Sequence, residues 1–135
     1  MEKIIVDADG AIVGRMGSFV AKELLRGKSA IIVNSEKAVI SGRQADIIGR
    51  ISNLIAKGGS SQKGPHIRRV ADRFLKRMIR GMLPWKKERG KSAYKRLKCY
   101  IGTEELTDEE KKQVIKLGHD KPIKYMTIEQ ILKLV

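Results

Sequence analysis

Two short, wholly apolar runs flank one stretch of helical periodicity, and that arrangement leaves the first quarter of the chain very few ways to fold. Ile4-Ile5-Val6, within residues 3–7, and Ala30-Ile31-Ile32-Val33 are too short for helices and show no alternation. Each therefore reads as a buried strand. Between them Ile12, Val13, Met16, Phe19, Val20 and Leu24 recur at helical spacing over residues 12–26, and Gly27 supplies the stop. Strand, helix and strand in this order form a β-α-β unit, whose strands run parallel and whose helix crosses over one face. A length of 135 residues suits a single domain around one core. Aromatic residues make up only 4% of the chain, so that core must be built from Ile, Leu, Val, Met and Ala.

The rest of the chain continues the alternation. Ala38-Val39-Ile40 is a third apolar run, and only residues 34–37 separate it from the second. That link is too short for a parallel crossover, so the run either turns back or forms an irregular edge piece. Ser41 and Gln44 have capping-box spacing, and Ile47, Ile48, Ile51, Leu54 and Ile55 form an apolar stripe. Together they predict a helix over residues 43–57, ended by Gly58 and Gly59. A Gly/Ser/Pro loop over residues 60–66 leads to a helix over 70–82, with Ala71, Phe74, Leu75, Met78 and Met82 inward and Gly81 and Pro84 closing it. A short helix over 88–96 and a strand over 97–101 follow. Thr107 and Glu110 repeat the capping-box spacing ahead of Val114, Ile115 and Leu117, which predicts a helix stopped by Gly118. Thr127 and Gln130 repeat it again before Ile128, Ile131 and Leu132. A small sheet with helices on both sides places the chain in the α/β class. The whole, residues 1–135, is expected to be one domain: a β-α-β scaffold half over 1–58, a basic segment over 59–102 and a helical tail over 103–135.

Charge is distributed very unevenly. The net charge is +14 and the pI near 10.1, an excess that opposes compaction unless a polyanion meets it. Residues 61–98 hold fourteen Lys and Arg against Asp72 and Glu88, a net of +12, while the other 97 residues carry 15 basic and 13 acidic groups, a net of +2. In the third helix Arg69, Arg73, Lys76 and Arg80 are spaced four, three and four apart, so they predict one stripe, flanked by Arg77. A solvated helix face ordinarily mixes signs, and this one has almost no acids. A membrane-surface helix would need a free apolar face opposite the charges, and here that face is spent on the core. A stripe of this kind can follow a phosphate ribbon, with planar Arg forks and mobile Lys charges on the oxygens and released counterions as the driving force. The candidate RNA contacts are Lys63, His66 and Arg68 in the loop, then Arg69, Arg73, Lys76, Arg77 and Arg80, then Trp85, Lys86, Lys87, Arg89, Lys91, Lys95 and Arg96. Trp85, the single tryptophan, is read as a plug beneath its loop, with stacking on an RNA base as the alternative. The Gly/Ser loop either brings backbone close to RNA or is a plain connector.

A few short patterns invite a catalytic reading. Asp7-Ala8-Asp9-Gly10 ends a strand as in phosphatases with an aspartate nucleophile, but no hydroxyl residue follows, so turn and helix-cap roles are preferred. A small α/β phosphotransfer enzyme using Asp7 and Asp9 stays as the competing function. Gly10, Gly14 and Gly17 do not have the dinucleotide-binding spacing and are read as easing a turn and close helix packing. Gly27-Lys28-Ser29 and Gly90-Lys91-Ser92 lack the preceding glycine of a phosphate-binding loop, since Lys22 and Trp85 stand there. His66 and His119 have no Cys partner, so neither a metal nor a cofactor is expected. Cys99, the single cysteine, sits in an apolar run and reads as a small core residue in a reducing cytoplasm. No apolar run approaches the roughly 18 residues of a spanning helix, and the first residues lack signal-peptide character.

Several ordered segments resemble one family. They are Gly14-Arg15-Met16 with Val20-Ala21, Leu25-Arg26-Gly27-Lys28, and the run from Val33-Asn34-Ser35-Glu36-Lys37 through Ala38-Val39-Ile40-Ser41-Gly42. Arg80-Gly81-Met82-Leu83-Pro84, Arg89-Gly90 and Arg96-Leu97-Lys98-Cys99-Tyr100-Ile101-Gly102 extend the match. Together they are similar to the ribosomal protein L-thirteen family of the large subunit, over residues 4–102, and Lys124-Tyr125-Met126-Thr127 looks archaeal in type. The resemblance implies a three-layer α/β/α domain with a small, mainly parallel four-stranded sheet. It also implies binding to large-subunit rRNA early in assembly, neighbouring ribosomal proteins as further partners, no catalysis, no membrane and no obligate homo-oligomer. Family contacts carried onto this chain fall on residues 63–80 and 85–98, while the acidic stretch 104–110 is read as a solvated helix start.

Overall fold

A computed structural model describes residues 2–56, 69–117 and 122–135. The first strand, β1 (Lys3–Asp7), the first helix, α1 (Val13–Leu25), and β2 (Ser29–Val33) form the β-α-β unit, with β1 and β2 parallel and Ile5 opposite Ile31. At the end of β2 the chain leaves the sheet. Asn34 adopts a left-handed conformation (φ 55°), a 3-10 turn covers Ser35–Lys37, and β3 (Val39–Ser41) follows. The short link is thus explained: β3 pairs antiparallel with β6 (Tyr125–Thr127) in a separate two-stranded sheet.

The remaining elements are α2 (Gln44–Ala56), α3 (Ala71–Arg80), α4 (Glu88–Lys95), β4 (Leu97–Cys99), α5 (Asp108–Lys112), β5 (Val114–Lys116) and α6 (Ile128–Leu134). The main sheet has the order β4-β2-β1-β5, and all its strands are parallel. On one face Ile4, Val6, Ala30, Ile32, Leu97 and Cys99 join the buried side chains of α1, α3 and α4. On the other, Ile5, Val33 and Leu106 form a smaller cluster, and Lys3 Nζ reaches Glu110 of α5 at 2.9 Å. The second helical layer is therefore thin, but the architecture is α/β/α.

Four expectations require correction. The residues Val114 and Ile115 were expected to extend a helix from Thr107. The capping box does form, with Thr107 Oγ1 accepting from Glu110 N, but α5 ends at Lys112 and the following residues form strand β5 beside β1. Short β-branched residues completing a sheet outweigh the local helix signal. Tyr125–Thr127 is likewise a strand, so the tail over 103–135 is not wholly helical. The Ser41–Gln44 box does not form either: Ser41 pairs with Tyr125 in β3, and α2 begins at Gln44 itself. In α3 the inward side chains are Ala71, Phe74, Leu75 and Ile79; Met82 lies beyond the helix and is exposed. Met82 still serves packing, since a Cβ on Gly17 would meet its sulfur at 2.7 Å, so Gly17 permits the close approach of α1.

Candidate nucleic-acid interface

The basic segment folds into α3, a turn over residues 81–87, and α4. Both helices lie on the α1 side of the main sheet, with Phe74, Leu75 and Ile79 of α3 and Ala93 of α4 in the core. Burying these apolar residues directs the intervening charges outward. Gly90 sets the distance between α4 and the turn, because a Cβ there would collide with the Pro84 carbonyl. Only glycine permits this approach.

Four side chains then form a ladder across α3, the turn and α4. Lys76 Nζ lies 4.5 Å from the centre of the Tyr94 ring. The Tyr94 and Trp85 rings meet edge to face at 5.0 Å and 85°. The Arg80 guanidinium lies 4.0 Å over the Trp85 ring. Each cation–π contact contributes on the order of 0.5–1 kcal/mol at such partly exposed sites. Their larger effect is positional: Lys76 and Arg80, one helical turn apart, keep their charges while their stems are held in place. Burial raises the Tyr94 hydroxyl pKa above its ordinary value, so the ring stays neutral.

Beside Arg80 and Trp85 runs an open groove of about 690 Å³. Its walls include Leu54 of α2, Phe74 and Met78 of α3, and Leu83, Pro84 and Trp85 of the turn; Arg77, Arg80, Lys86 and Lys87 edge it. No acidic residue lines it among the described residues.

Most of the candidate contacts are available here. Arg69, Arg73, Lys86, Lys87, Arg89, Lys91 and Lys95 are exposed, and Lys76, Arg77 and Arg80 half-exposed. Arg69 precedes α3, with Val70 as its N-cap, so the stripe read along one helix is carried by Arg73, Lys76 and Arg80. Trp85 is half-buried, neither a plug in the core nor a free platform. Arg96 is used inside the fold: its Nη2 donates to the Leu24 carbonyl at 2.6 Å, joining the end of α4 to the C-terminus of α1. A cation is favourable there, where carbonyl groups of the last helical turn point outward. Lys63, His66 and Arg68 lie outside the described residues. The reading from sequence missed Tyr94 and Gly90, which fix this surface. An aromatic set into an otherwise polar helix was the available signal for Tyr94.

The ion pairs fall elsewhere. Glu23 is bonded by Lys28 at 2.7 Å and Arg26 at 2.9 Å, Lys3 pairs with Glu110, Lys28 also approaches Glu2 at 3.8 Å, and Lys133 approaches Glu129 at 3.5 Å. The Lys28 hydrogen bond holds the Glu23 carboxyl below its usual range, with burial opposing. Among the described residues, no carboxylate holds a cation between residues 69 and 98.

A family model for ribosomal protein L13 matches residues 1–106. The chain belongs to the ribosomal protein L13 family. Its relatives include proteins named large ribosomal subunit protein uL13. That of Archaeoglobus fulgidus is 40% identical over 131 residues, covering 94% of this chain and 83% of its own length. The Methanosarcina barkeri protein is 49% identical over 108 residues, covering 78% and 76%. The Picrophilus torridus protein is 40% identical over 133 residues, covering 98% and 96%. The tail beyond residue 106 is thus shared with archaeal members of the family. Family membership also replaces the phosphotransfer reading of Asp7 and Asp9, and the geometry agrees. Asp7 Oδ1 accepts from Asn34 Nδ2 at 2.9 Å and from the Asp9 backbone N–H at 3.0 Å, which braces the turn where β2 leaves the sheet. Cys99 is buried, its thiol pushed up to about 12 by desolvation, as befits a core residue.

Proposed function

We propose that this chain is a structural constituent of the large ribosomal subunit, in the cytoplasm, and binds the subunit's rRNA through the α3–turn–α4 face. Neighbouring ribosomal proteins are its further partners, and no self-association is required. The observation that carries the reading is the run of cations over residues 69–98 without carboxylate partners among the described residues, held on one side of a folded scaffold. Phosphates can approach it without displacing any internal ion pair. The chain works as a clamp: it contacts phosphates of several RNA segments and fixes their relative positions. Recognition of the correct RNA comes from its shape and its 2′-hydroxyls.

The test is binding of the full chain to large-subunit rRNA across a salt series. Affinity should fall linearly on logarithmic axes as salt rises. Replacing Arg73 and Arg80 with Ala should weaken binding and lower the slope by about 2. Asp7→Asn with Asp9→Asn should leave affinity unchanged, because Asn keeps an acceptor for the Asn34 amide. A salt-independent affinity would refute the clamp.

A further inference from the structure

The groove beside Trp85 combines features that a phosphate clamp does not need. Phosphates are met by exposed cations on a convex surface; an apolar cleft adds nothing to them. Here Leu54, at 37% exposure, and the half-buried Met78, Pro84 and Trp85 leave apolar surface open to solvent between α2 and the turn. The volume of about 690 Å³ falls within the roughly 300–1,000 Å³ of clefts that hold drug-sized ligands, ample for one nucleobase. Arg77, Lys86 and Lys87 edge this apolar surface, and no lining residue is acidic among the described residues. An apolar, partly aromatic wall with an all-cationic rim is complementary to an unstacked nucleobase whose flanking phosphates stay outside. An apolar peptide side chain would match the wall but not the rim.

We infer that this groove receives a single unpaired base of the bound RNA, which packs along Leu54, Met78 and Trp85 while Arg77, Lys86 and Lys87 hold the phosphates on either side. The inference rests on the rRNA reading above and adds a base-binding subsite to it. Arg80, stacked on Trp85 at 4.0 Å, fixes the indole so that the wall is formed before RNA arrives.

The experiment uses the full chain and three RNA duplexes: one with a single bulged nucleotide, one with an abasic residue at that bulge and so the same phosphate count, and one fully paired. Two readouts apply, affinity and the emission of Trp85, the chain's only tryptophan. The base-bearing bulge should bind roughly tenfold more tightly than the abasic one. It alone should quench Trp85. The substitution Leu54→Asn, which replaces apolar wall with a polar group at an exposed position, should erase that difference. Equal affinity for the base-bearing and abasic bulges, with unmoved Trp85 emission, overturns the subsite while leaving the clamp intact. Absence of salt-dependent binding to all three overturns the rRNA reading and the subsite with it. A photoreactive group attached through Leu54→Cys identifies the occupant in assembled large subunits: an adduct on a nucleotide supports the inference, and one on a neighbouring protein refutes it.

Discussion

In the scaffold, Lys28 lies 2.7 Å from Glu23 and Lys3 lies 2.9 Å from Glu110; on the α3–α4 face, Lys76 and Arg80 lie instead over Tyr94 and Trp85. The scaffold neutralises part of its charge internally, whereas the basic face uses aromatic rings to place charge without neutralising it. The stability involved is small in both cases, since solvent screens ion pairs and cation–π contacts near the surface. The difference matters for association. A paired cation gives a phosphate little net attraction, because its present partner must be displaced or shared. A ring-held cation keeps its full charge and has already lost much of its rotamer freedom. The same near-neutral β-α-β architecture can therefore carry a strongly cationic face without distributing repulsion through its core.

The sharpest way to break this contrast is to remove equal charge from each region. Arg77→Ala, Lys86→Ala and Lys87→Ala together should weaken rRNA binding about 100-fold near physiological salt and lower the salt slope by 2–3, at roughly one unit per phosphate contact. Lys3→Ala, Lys22→Ala and Lys37→Ala together should change affinity by no more than about threefold. Equal losses would mean that total charge, not its placement, governs binding. Next in size, Gly90→Ala forces a methyl into the Pro84 carbonyl and should destabilise the fold by about 2 kcal/mol in denaturant titration. Arg96→Ala should lower stability by about 1.5 kcal/mol through loss of its bond to Leu24, with the affinity of the folded protein for RNA little changed. That outcome would place Arg96 with the scaffold although it lies within the basic segment.

Acid titration separates the regions further. The folded-state pKa values of Glu23 and Glu110 are lowered, so their contribution to stability is present above about pH 4.5 and is lost as pH falls through the folded values. Urea midpoints measured between about pH 3 and pH 6 should rise with pH, and Glu23→Gln should flatten that rise. The smallest effect concerns Cys99, which should resist alkylation at about pH 8 until the protein unfolds, because burial keeps it in the thiol form.

Much of this architecture is readable from local pattern. The β-α-β unit is specified by Ile4-Ile5-Val6, the stripe of α1 and Ala30-Ile31-Ile32-Val33, all within one short stretch of chain. The capping boxes at Thr107 and Thr127 form as their spacing indicates, because a helix begins at the very next residue in each case, and at Thr127 this holds although it also pairs with Val39. Ser41 has the same spacing, but it pairs with Tyr125, far along the chain, and α2 begins only at Gln44, so Ser41 does not stand at a helix N-cap. Val114–Lys116 escapes local reading for the same reason: its strand character comes from lying beside β1. The candidate site divides similarly. Its charge density is visible by counting, and the spacing of Arg73, Lys76 and Arg80 is visible on a helical repeat. The ladder is not, since Lys76 meets Tyr94 and Arg80 meets Trp85 only once α3 and α4 are packed. Nor is the withdrawal of Arg96, whose partner Leu24 lies at the end of α1.

The central claim, that the α3–turn–α4 face and not the α5 side of the sheet meets RNA, is tested most directly by ultraviolet crosslinking within intact large subunits, with peptide and nucleotide both mapped. The expected result is rRNA adducts concentrated on peptides from residues 69–98, Trp85 and its neighbours among them, and few on residues 103–117. Adducts concentrated on 103–117, with residues 69–98 unmarked, would contradict it.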